Sequence, residues 1–348
     1  MSEIGTIGLD IGKDVFQVHG VNQLGARVLE RKLRRHEVAV FFETLQPCVI
    51  GMEATSSAHY WARLFVKMGH TVRLMPAAYV KAYVKTNKND ARDAEAICEA
   101  VQRPTMRYVS IKSAQQQAVL TLHRSRDLLV RQRVMLVNGL RSHLAEFGFV
   151  TRAGRGGATQ VLQFVNEATS AQLPLDVRFV SRVFVRQIRT LTKQIETLER
   201  RILRCHRHDS SSVRLSTIPG VGPLTATVLV ATIGDGRQFR TARHFAAWLG
   251  LVPRQFSSGG KQMFGHISKR GERNLRRLLF LCASRALRQR EKAKSRAVEW
   301  AKSLRSRKPY RVAVVALANK LARIAWALLA HGGVFNAQPP ERAELQAG

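Results

Sequence analysis

The chain has 348 residues, and its 57 lysines and arginines outnumber its 24 aspartates and glutamates, which gives a net charge of +33 at pH 7. Hydrophobic residues make up 45%, an ordinary share for a globular protein, which excludes a chain that is disordered throughout. Because so large a charge opposes compaction unless an anion screens it, the composition predicts a polyanionic partner, above all nucleic acid.

Export, membrane insertion and disulfide cross-linking are not expected. The N-terminus lacks a basic region followed by an apolar core, so no signal peptide is predicted. The most apolar late stretch, Val312 to Leu329, is interrupted by Lys320 and Arg323, so it falls short of the roughly 18 uncharged apolar residues of a membrane span. The cysteines lie far apart with no CxxC pair, which argues against a disulfide framework or thiolate zinc site and fits a reducing cytoplasm.

Residues 1 to about 110 show an α/β pattern. In Ile7–Gly12 alternate residues face opposite sides of a predicted strand, so Asp10 lies between glycines with space beside its carboxylate. Further strands are predicted over 15–21, 27–33, 49–53 and 72–75, with helices around 61–68 and over 90–102. Strands followed by alternating helices and strands predict a mixed sheet with helices packed on it.

Residues 113 to about 207 predict two long helices, separated by a break over 148–174. Their apolar positions are Leu122, Leu129, Leu136, Leu140, Leu144 and Phe147 in the first helix and Val177, Val180, Phe184, Ile188, Leu191, Ile195, Leu198 and Ile202 in the second. Such spacing is typical of a coiled-coil seam. It fits an internal antiparallel hairpin as well as a dimerisation arm or a nucleic-acid clamp, and the sequence favours neither.

Residues from about 212 to 335 predict a helical and strongly basic region, followed by a loose tail. Between Arg214 and Arg290 there are fourteen lysines or arginines but only two acids, Asp235 and Glu272. A one-signed run of this kind would cost stability through self-repulsion without an anionic partner.

Acidic residues are scarce in this chain, and four of them occupy positions from which their carboxylates could converge. Asp10 lies within a strand, Glu53 ends a buried strand, and Asp90 and Asp93 share one face of a predicted helix. Carboxylates that converge from two strands and a helix repel one another unless divalent cations bind, and oxygen ligands suit Mg²⁺. Two such ions can stabilise both oxygens of a phosphoryl transfer.

A structural role is the alternative for some of these acids. Asp90 as a helix N-cap and Asp93 as a first-turn acid would both stabilise the helix, and for Asp93 alone this is the better interpretation. For Asp10 it is a poor one, because an unpaired charge inside an apolar strand is costly. The neighbouring acids Asp14 and Glu95 are interpreted as surface residues.

A glycine-rich turn over 218–226 resembles a helix-hairpin-helix element. The backbone N–H groups at Gly220 and Gly222 could hold a phosphate at a helix start, and the alternative is an ordinary loop.

A second glycine-rich segment carries Ser258 among cations. Its hydroxyl could accept a phosphoryl group if a base or metal activated it, while cations stabilised the pentacoordinate phosphorus. On residue chemistry alone a flexible phosphate-binding loop is the better interpretation, because Ser-Gly turns are frequent. The basic residues predicted to contact nucleic acid here are Arg254, Lys261, Lys269, Arg270, Arg273, Arg276 and Arg277.

Five motifs occur in a recognisable order over nearly the whole chain. They are GLDIGK at 8–13, MEAT at 52–55, KNDARDA at 88–94, PGVG at 219–222, and AWLGLVP with SSGGK and ISKRG between 247 and 271. In this order they resemble the IS110 family of bacterial insertion-sequence transposases, most of all its IS1111 branch, with the pilin-gene invertases as relatives.

The resemblance implies a RuvC-like domain of RNase H fold over residues 1–112, a coiled-coil dimerisation segment over 113–210, a helical transposase domain over 211–335 and a flexible tail over 336–348. By motif it makes Asp10, Glu53, Asp90 and Asp93 the metal-binding and catalytic acids and Ser258 the catalytic serine, with Ser257 as second choice.

The resemblance also implies that DNA is cut and rejoined through a serine-to-5′-phosphate link, aided by Mg²⁺. A structured RNA from the same element is expected to choose donor and target DNA, and dimers that pair into tetramers are expected, in the bacterial cytoplasm at the nucleoid. Because the acids and the serine are over a hundred residues apart, folding or assembly must join them, with different subunits as one route.

Two other functions remain open on the sequence. In a two-metal nuclease or junction resolvase, water would attack and Ser258 would only position phosphate. In a non-catalytic scaffold that binds RNA or DNA, the acids would have no chemical role, which leaves their burial unexplained.

Overall fold

The computed structural model describes residues 3–84, 89–152, 154–167, 172–259, 261–288 and 295–336, without the side chains of Arg155 and Ser258. Most of the predicted tail therefore lies outside the described residues. The chain forms two compact units, Met1–Gln117 and Ala118–Gly348. The first is a mixed α/β domain with a central sheet, and the second is mainly helical, as expected.

A five-stranded sheet forms the centre of the first unit. Its strands are β1 (Thr6–Ile11), β2 (Val15–Val21), β3 (Arg27–Arg34), β4 (Val49–Glu53) and β5 (Thr71–Met75). They lie in the order β3-β2-β1-β4-β5, with β1, β2 and β3 antiparallel and β4 and β5 parallel to β1. All five predicted strands are confirmed to within one residue at each end, because strands with a buried face need apolar side chains there.

Helices cover both faces of this sheet. They are α1 (Val38–Glu43), α2 (Ala58–Lys67), α3 (Ala77–Val80, continued by a 3₁₀ turn over Lys81–Tyr83) and α4 (Asp90–Val101). Ile7 and Leu9 of β1 pack in one core with Trp61 and Phe65 of α2, all of them buried. The opposite face receives α4, whose predicted range is confirmed to within one residue.

Two long helices, α5 (Ala114–Ala145) and α7 (Leu175–Arg207), follow, with a third helix, α6 (Arg155–Asn166), in the predicted break. The long pair is antiparallel, since Arg126 pairs with Glu199 while His143, near the end of α5, contacts Phe184, near the start of α7. The glycines that precede and open α6 favoured a loop, and only its packing against α5 and α7 reveals the helix.

The predicted seam is only partly continuous. Ile188, Leu191 and Ile195 are buried as expected, but Phe147 and Val180 are 46% and 39% exposed. At that end of the helix pair the core is completed by other residues, among them Val161 and Val165 of α6 and Leu173. The two exposed positions were therefore wrongly assigned to the seam.

In the part of the second unit that the structure describes, six helices and one hairpin follow the long helices. They are α8 (Ser210–Leu215), α9 (Pro223–Ile233), α10 (Ala242–Trp248), β6 (Pro253–Ser258), β7 (Lys261–Ile267), α11 (Arg273–Arg288), α12 (Arg296–Arg305) and α13 (Tyr310–His331). Their core is a single cluster that includes Phe245, Leu279 and Leu321. Within the described residues α13 is the one helix long and apolar enough to cross a membrane, and half of its apolar stretch is buried in the chain itself.

His123 connects α5 to α9. Its side chain is 8% exposed, and its Nε2 atom lies 2.9 Å from the hydroxyl of Thr227, which itself donates to the carbonyl of Pro223. Burial, and secondarily the charge of Arg126, lowers the pKa of His123 to about 4. The folded chain thus holds this imidazole neutral at pH values where the unfolded chain protonates it.

Acidification should therefore destabilise the fold through His123. Because the folded pKa is depressed, stability is present above the unfolded pKa of about 6.5 and is lost as pH falls towards 4. Between pH 7.5 and pH 5 we expect His123 to cost about 2 kcal/mol of unfolding free energy. Urea denaturation at both pH values checks this: His123→Gln should lose less stability than the wild type, and equal losses would contradict the assignment.

Candidate active site

Helix α4 lies directly on the sheet because two neighbouring strands carry glycine where it crosses. A Cβ atom on Gly8 would lie 2.1 Å from the carbonyl oxygen of Ala94, and one on Gly51 would lie 2.7 Å from the Cβ of Val101. Only glycine fits at such distances. Gly8 was expected to leave space beside Asp10, but the backbone of α4 fills the space above the glycine.

The first turn of α4 carries two of the predicted acids. The side-chain oxygen of Asn89 accepts a hydrogen bond from the N–H of Ala91 at 3.1 Å, so Asn89 is the N-cap. The alternative that Asp90 caps the helix is therefore wrong. Asp90 is the first helical residue and Asp93 lies in the same turn, where the helix dipole favours negative charge.

Three of the four predicted acids meet above the end of β1. Ligand oxygens of Asp10, Asp90 and Asp93 all lie within 4.8 Å of one another, with Asp90 exposed and the other two partly buried. Glu53 is not among the three. It ends β4, one position beyond the last residues that pair with β1, and therefore faces the same side of the sheet as Asp10.

This arrangement suits a small divalent cation. Each pair of charged carboxylates at such a distance repels by about 1 kcal/mol in water and about 3 kcal/mol at a protein surface. A bound cation would reverse the sign of this energy. Oxygen ligands on opposite sides of an ion such as Mg²⁺ lie about 4.2 Å apart, so the three acids could reach one ion with small adjustments.

The segment that carries the serines forms a β-hairpin. Residue chemistry alone had favoured a flexible loop there. Pro253–Ser258 pairs with Lys261–Ile267 in antiparallel register, and Gly259 in the turn has a φ of +56°. A positive φ of this kind favours glycine. The glycines and serines indicated the turn, but the strand pairing on either side of it was missed.

The two serines end the first strand of this hairpin. Ser257 is exposed, and its hydroxyl accepts a hydrogen bond from the side chain of Gln255 at 2.9 Å. The backbone of Ser258 pairs with Lys261. The side chain of Ser258 lies outside the described part of the chain.

Two of the arginines predicted to bind nucleic acid are engaged within the chain. Arg276 donates to the carbonyl oxygens of Leu249 at 2.8 Å and Arg270 at 3.0 Å, and burial lowers its pKa from the usual arginine value. Arg277 forms an ion pair with Asp127 at 2.6 Å. The other predicted cations are exposed, and they are Arg254, Lys261, Lys269, Arg270 and Arg273.

The glycine turn before α9 is packed on one side and open on the other. Gly220 has a φ of +82°, and a Cβ there would lie 2.4 Å from the carbonyl oxygen of Cys282 in α11. Gly222 is the N-cap of α9, and a Cβ there would meet nothing within 4 Å. The turn thus presents an open helix start, which is compatible with the predicted phosphate contact.

Comparisons with known proteins match both units. A family model described as "Transposase IS116/IS110/IS902 family" matches residues 212–298, and the DEDD transposase model of IS110, described as "Transposase", matches residues 7–149. A Pseudomonas aeruginosa protein named "Probable family 20 transposase" is 49% identical over 330 residues, which cover 94% of this chain and 97% of that protein. The chain belongs to the IS110 family of transposases.

Two further relatives bear on the narrower resemblance. The transposase for insertion sequence element IS1111A of Coxiella burnetii is 37% identical and aligns with 94% of this chain and 90% of its own length. The pilin gene-inverting protein of Moraxella lacunata is 43% identical over 72 residues, which is 20% of this chain and 22% of that protein. The expected kinship with both groups is confirmed.

Membership of the IS110 transposases makes this chain an enzyme that cuts and rejoins DNA. A DEDD transposase domain implies the use of a divalent metal, and the carboxylates of Asp10, Asp90 and Asp93 are the donors that fit one. Gly51 and Asn89, which position these carboxylates, were not predicted from the sequence. The signal for Gly51 was available, since it stands two residues before an acid on its strand, as Gly8 does.

Replacing Gly8 should lower the stability of this IS110 transposase, because α4 packs directly on this residue. Gly8→Ala places a methyl group against the backbone of α4, so the helix must move, at a cost of about 2 kcal/mol or more. Gly5→Ala is the control, because its Cβ would meet no atom closer than 3.4 Å. Urea denaturation measures both variants, and equal stability would refute the proposed close packing.

Proposed function

We propose that this IS110-family transposase breaks DNA by attack of a serine hydroxyl on a phosphate, with Ser258 as the nucleophile and Ser257 as the second choice. The observation that carries the proposal is the meeting of Asp10, Asp90 and Asp93 within 4.8 Å. Glu53, on the same side of the neighbouring strand, is the fourth proposed member.

Each step of this reaction forms one P–O bond and breaks another, so no external energy source is needed. The serine oxygen forms a bond to phosphorus, the bond from phosphorus to the 3′ oxygen breaks, and a 5′-phosphoserine and a free 3′ hydroxyl result. The proton of the serine leaves to a base, and the departing 3′ oxygen takes one up. In rejoining, a 3′ hydroxyl attacks the phosphoserine and the serine is released.

Asp10, Glu53, Asp90 and Asp93 are the residues that would hold Mg²⁺, which when bound would stabilise negative charge on the reacting phosphate. Exposed cations on the hairpin and the following loop, such as Arg254, would bind the flanking phosphates. Arg276 and Arg277 would then act by holding the loop and helix rather than by direct contact.

The strand order supports an RNase H-like assignment for the first domain, with three antiparallel strands followed by two parallel ones. We propose the domain limits 1–112, 113–210 and 211–335, with the middle helices as a coiled coil that contributes to dimers and tetramers. The exposed apolar side chains Leu175, Phe179 and Val183, which lie four residues apart on α7, support a protein contact there. Sedimentation of the purified chain tests this, and a monomer at all concentrations would contradict it.

A structured RNA from the same element is the proposed guide. The net charge of +33 suits sequence-blind backbone contacts, which such a guide requires. Sequencing the RNA that co-purifies with the chain tests the idea, and recovery of only random transcripts would contradict it.

Asp10→Asn should remove the response of the protein to divalent metal. In the wild type, Mg²⁺ or Mn²⁺ should raise the melting temperature relative to EDTA, because the ion cancels carboxylate repulsion. Asp10→Asn should lose this rise. Asp14→Asn, an exposed acid in the following turn, is the control and should keep the rise. A full response in Asp10→Asn would exclude the site.

Ser258→Ala should abolish a protein–DNA adduct that survives denaturation, whereas Ser257→Ala should retain it. Gel analysis of the denatured reaction with labelled DNA measures both. The reverse pattern would move the nucleophile to Ser257. A nuclease that uses water predicts cleavage without any adduct in the wild type. Mixing Asp10→Asn with Ser258→Ala protein then tests sharing between subunits, since only shared sites would recover activity.

A further inference from the structure

Helix α7 carries a row of cations on the side that faces away from the helix pair. They are Arg182, Arg186, Arg189, Lys193, Arg200, Arg204 and Arg207, and every one of them is exposed. The steps between them are three, four or seven residues, which places them on one face of a helix with 3.6 residues per turn. The buried positions Ile188, Leu191 and Ile195 lie towards the opposite side. We call this row the α7 ridge.

The ridge has little negative charge to balance it. Glu196 is the single acid that falls on this side between the two ends, while Glu199 turns towards α5 and pairs with Arg126 at 2.5 Å. In the described part of the chain none of the seven cations forms an ion pair with a carboxylate. Seven cations held in one row repel one another, so the row is a stability cost unless an anion covers it.

The first half of the ridge also borders a cavity. Arg182, Arg186, Arg189 and Lys193 line a cavity of about 350 Å³ beside α6, and its polar lining is completed by Asn166 and Thr190. Arg189 donates to the side-chain oxygen of Asn166 at 3.1 Å, which orients its guanidinium group. Every charged group in the cavity lining is a cation, so its chemistry suits phosphate.

We propose that the α7 ridge binds the phosphate backbone of duplex DNA. The 25 residue steps from Arg182 to Arg207 give the ridge a length of about 38 Å at 1.5 Å per step, which is close to one turn of B-form DNA at about 34–36 Å. Phe184, the aromatic residue within this range, is partly buried against α5. One exposed aromatic, Phe179, lies one turn before the row, and a single ring offers little stacking along a strand, so the ridge suits backbone contact better than recognition of a single strand.

This contact lies outside the chemistry proposed above and does not require it. The family membership already makes DNA a substrate of the chain, and the ridge adds a place where the duplex is held. The ridge of a second copy is a poor occupant of this ridge, because two rows of cations would repel each other.

Salt dependence of binding tests the ridge. The full-length chain, with metal omitted, is titrated with labelled random-sequence duplex DNA between 50 and 300 mM salt. Each lost phosphate contact lowers the slope of log affinity against log salt by about 0.9. Arg186→Gln, Arg189→Gln and Lys193→Gln together should therefore lower the slope by about 2 to 3 and weaken binding at least about tenfold at the lower salt concentrations.

The matched control removes three cations that already have a carboxylate partner, Arg27→Gln, Arg103→Gln and Arg237→Gln. It should change the slope by much less than the ridge triple. Single variants Arg189→Gln and Lys193→Gln, each worth about one unit of slope, replace the triple if its melting temperature falls. Equal slopes for ridge and control variants would overturn the proposal. A loss confined to RNA of the same length would overturn it too, since the ridge would then serve RNA.

Discussion

The close approach of α4 to the sheet is the constraint on which the candidate site depends. At Gly8 the carbonyl oxygen of Ala94 occupies the position that any side chain would need. That packing fixes the direction of α4, and so brings Asp90 and Asp93 to the end of the strand that carries Asp10. The helix is stabilised by its packing, by the Asn89 cap and by the dipole, which together hold carboxylates close despite their repulsion.

The basic residues fall into two groups, those bound within the chain and those that face solvent. Some arginines work inside the chain: Arg276 holds the carbonyl groups of a loop, and Arg277 and Arg126 pair with acids. Others, above all on α7 and on the hairpin, face solvent without a described carboxylate partner. The formal charge therefore overstates the surface open to nucleic acid, and the geometry of each cation decides whether it can contribute.

The proposed nucleophile and the proposed metal ligands belong to different compact units of the chain. The serines end a paired strand of a hairpin, so their backbone is held more firmly than a loop would hold it. The hairpin, which was not predicted from the sequence, is compatible with the serine proposal.

Local pattern was enough to predict the strands of the first unit, the range of α4, the two long helices and the meeting of Asp10, Asp90 and Asp93, because alternation and helical spacing reflect which side of each element is buried. The part of Glu53 in the site stays a prediction. The tertiary structure alone decided what depends on contacts between distant residues. It packed α4 on Gly8 and Gly51, made Asn89 the cap in place of Asp90, and turned the serine segment into a hairpin. The tertiary structure also formed α6, although its glycines favoured a loop. It distinguished Arg276, which is hydrogen-bonded within the chain, from the exposed cations. Burial and bonding partners depend on how the chain packs and cannot be read from the order of its residues.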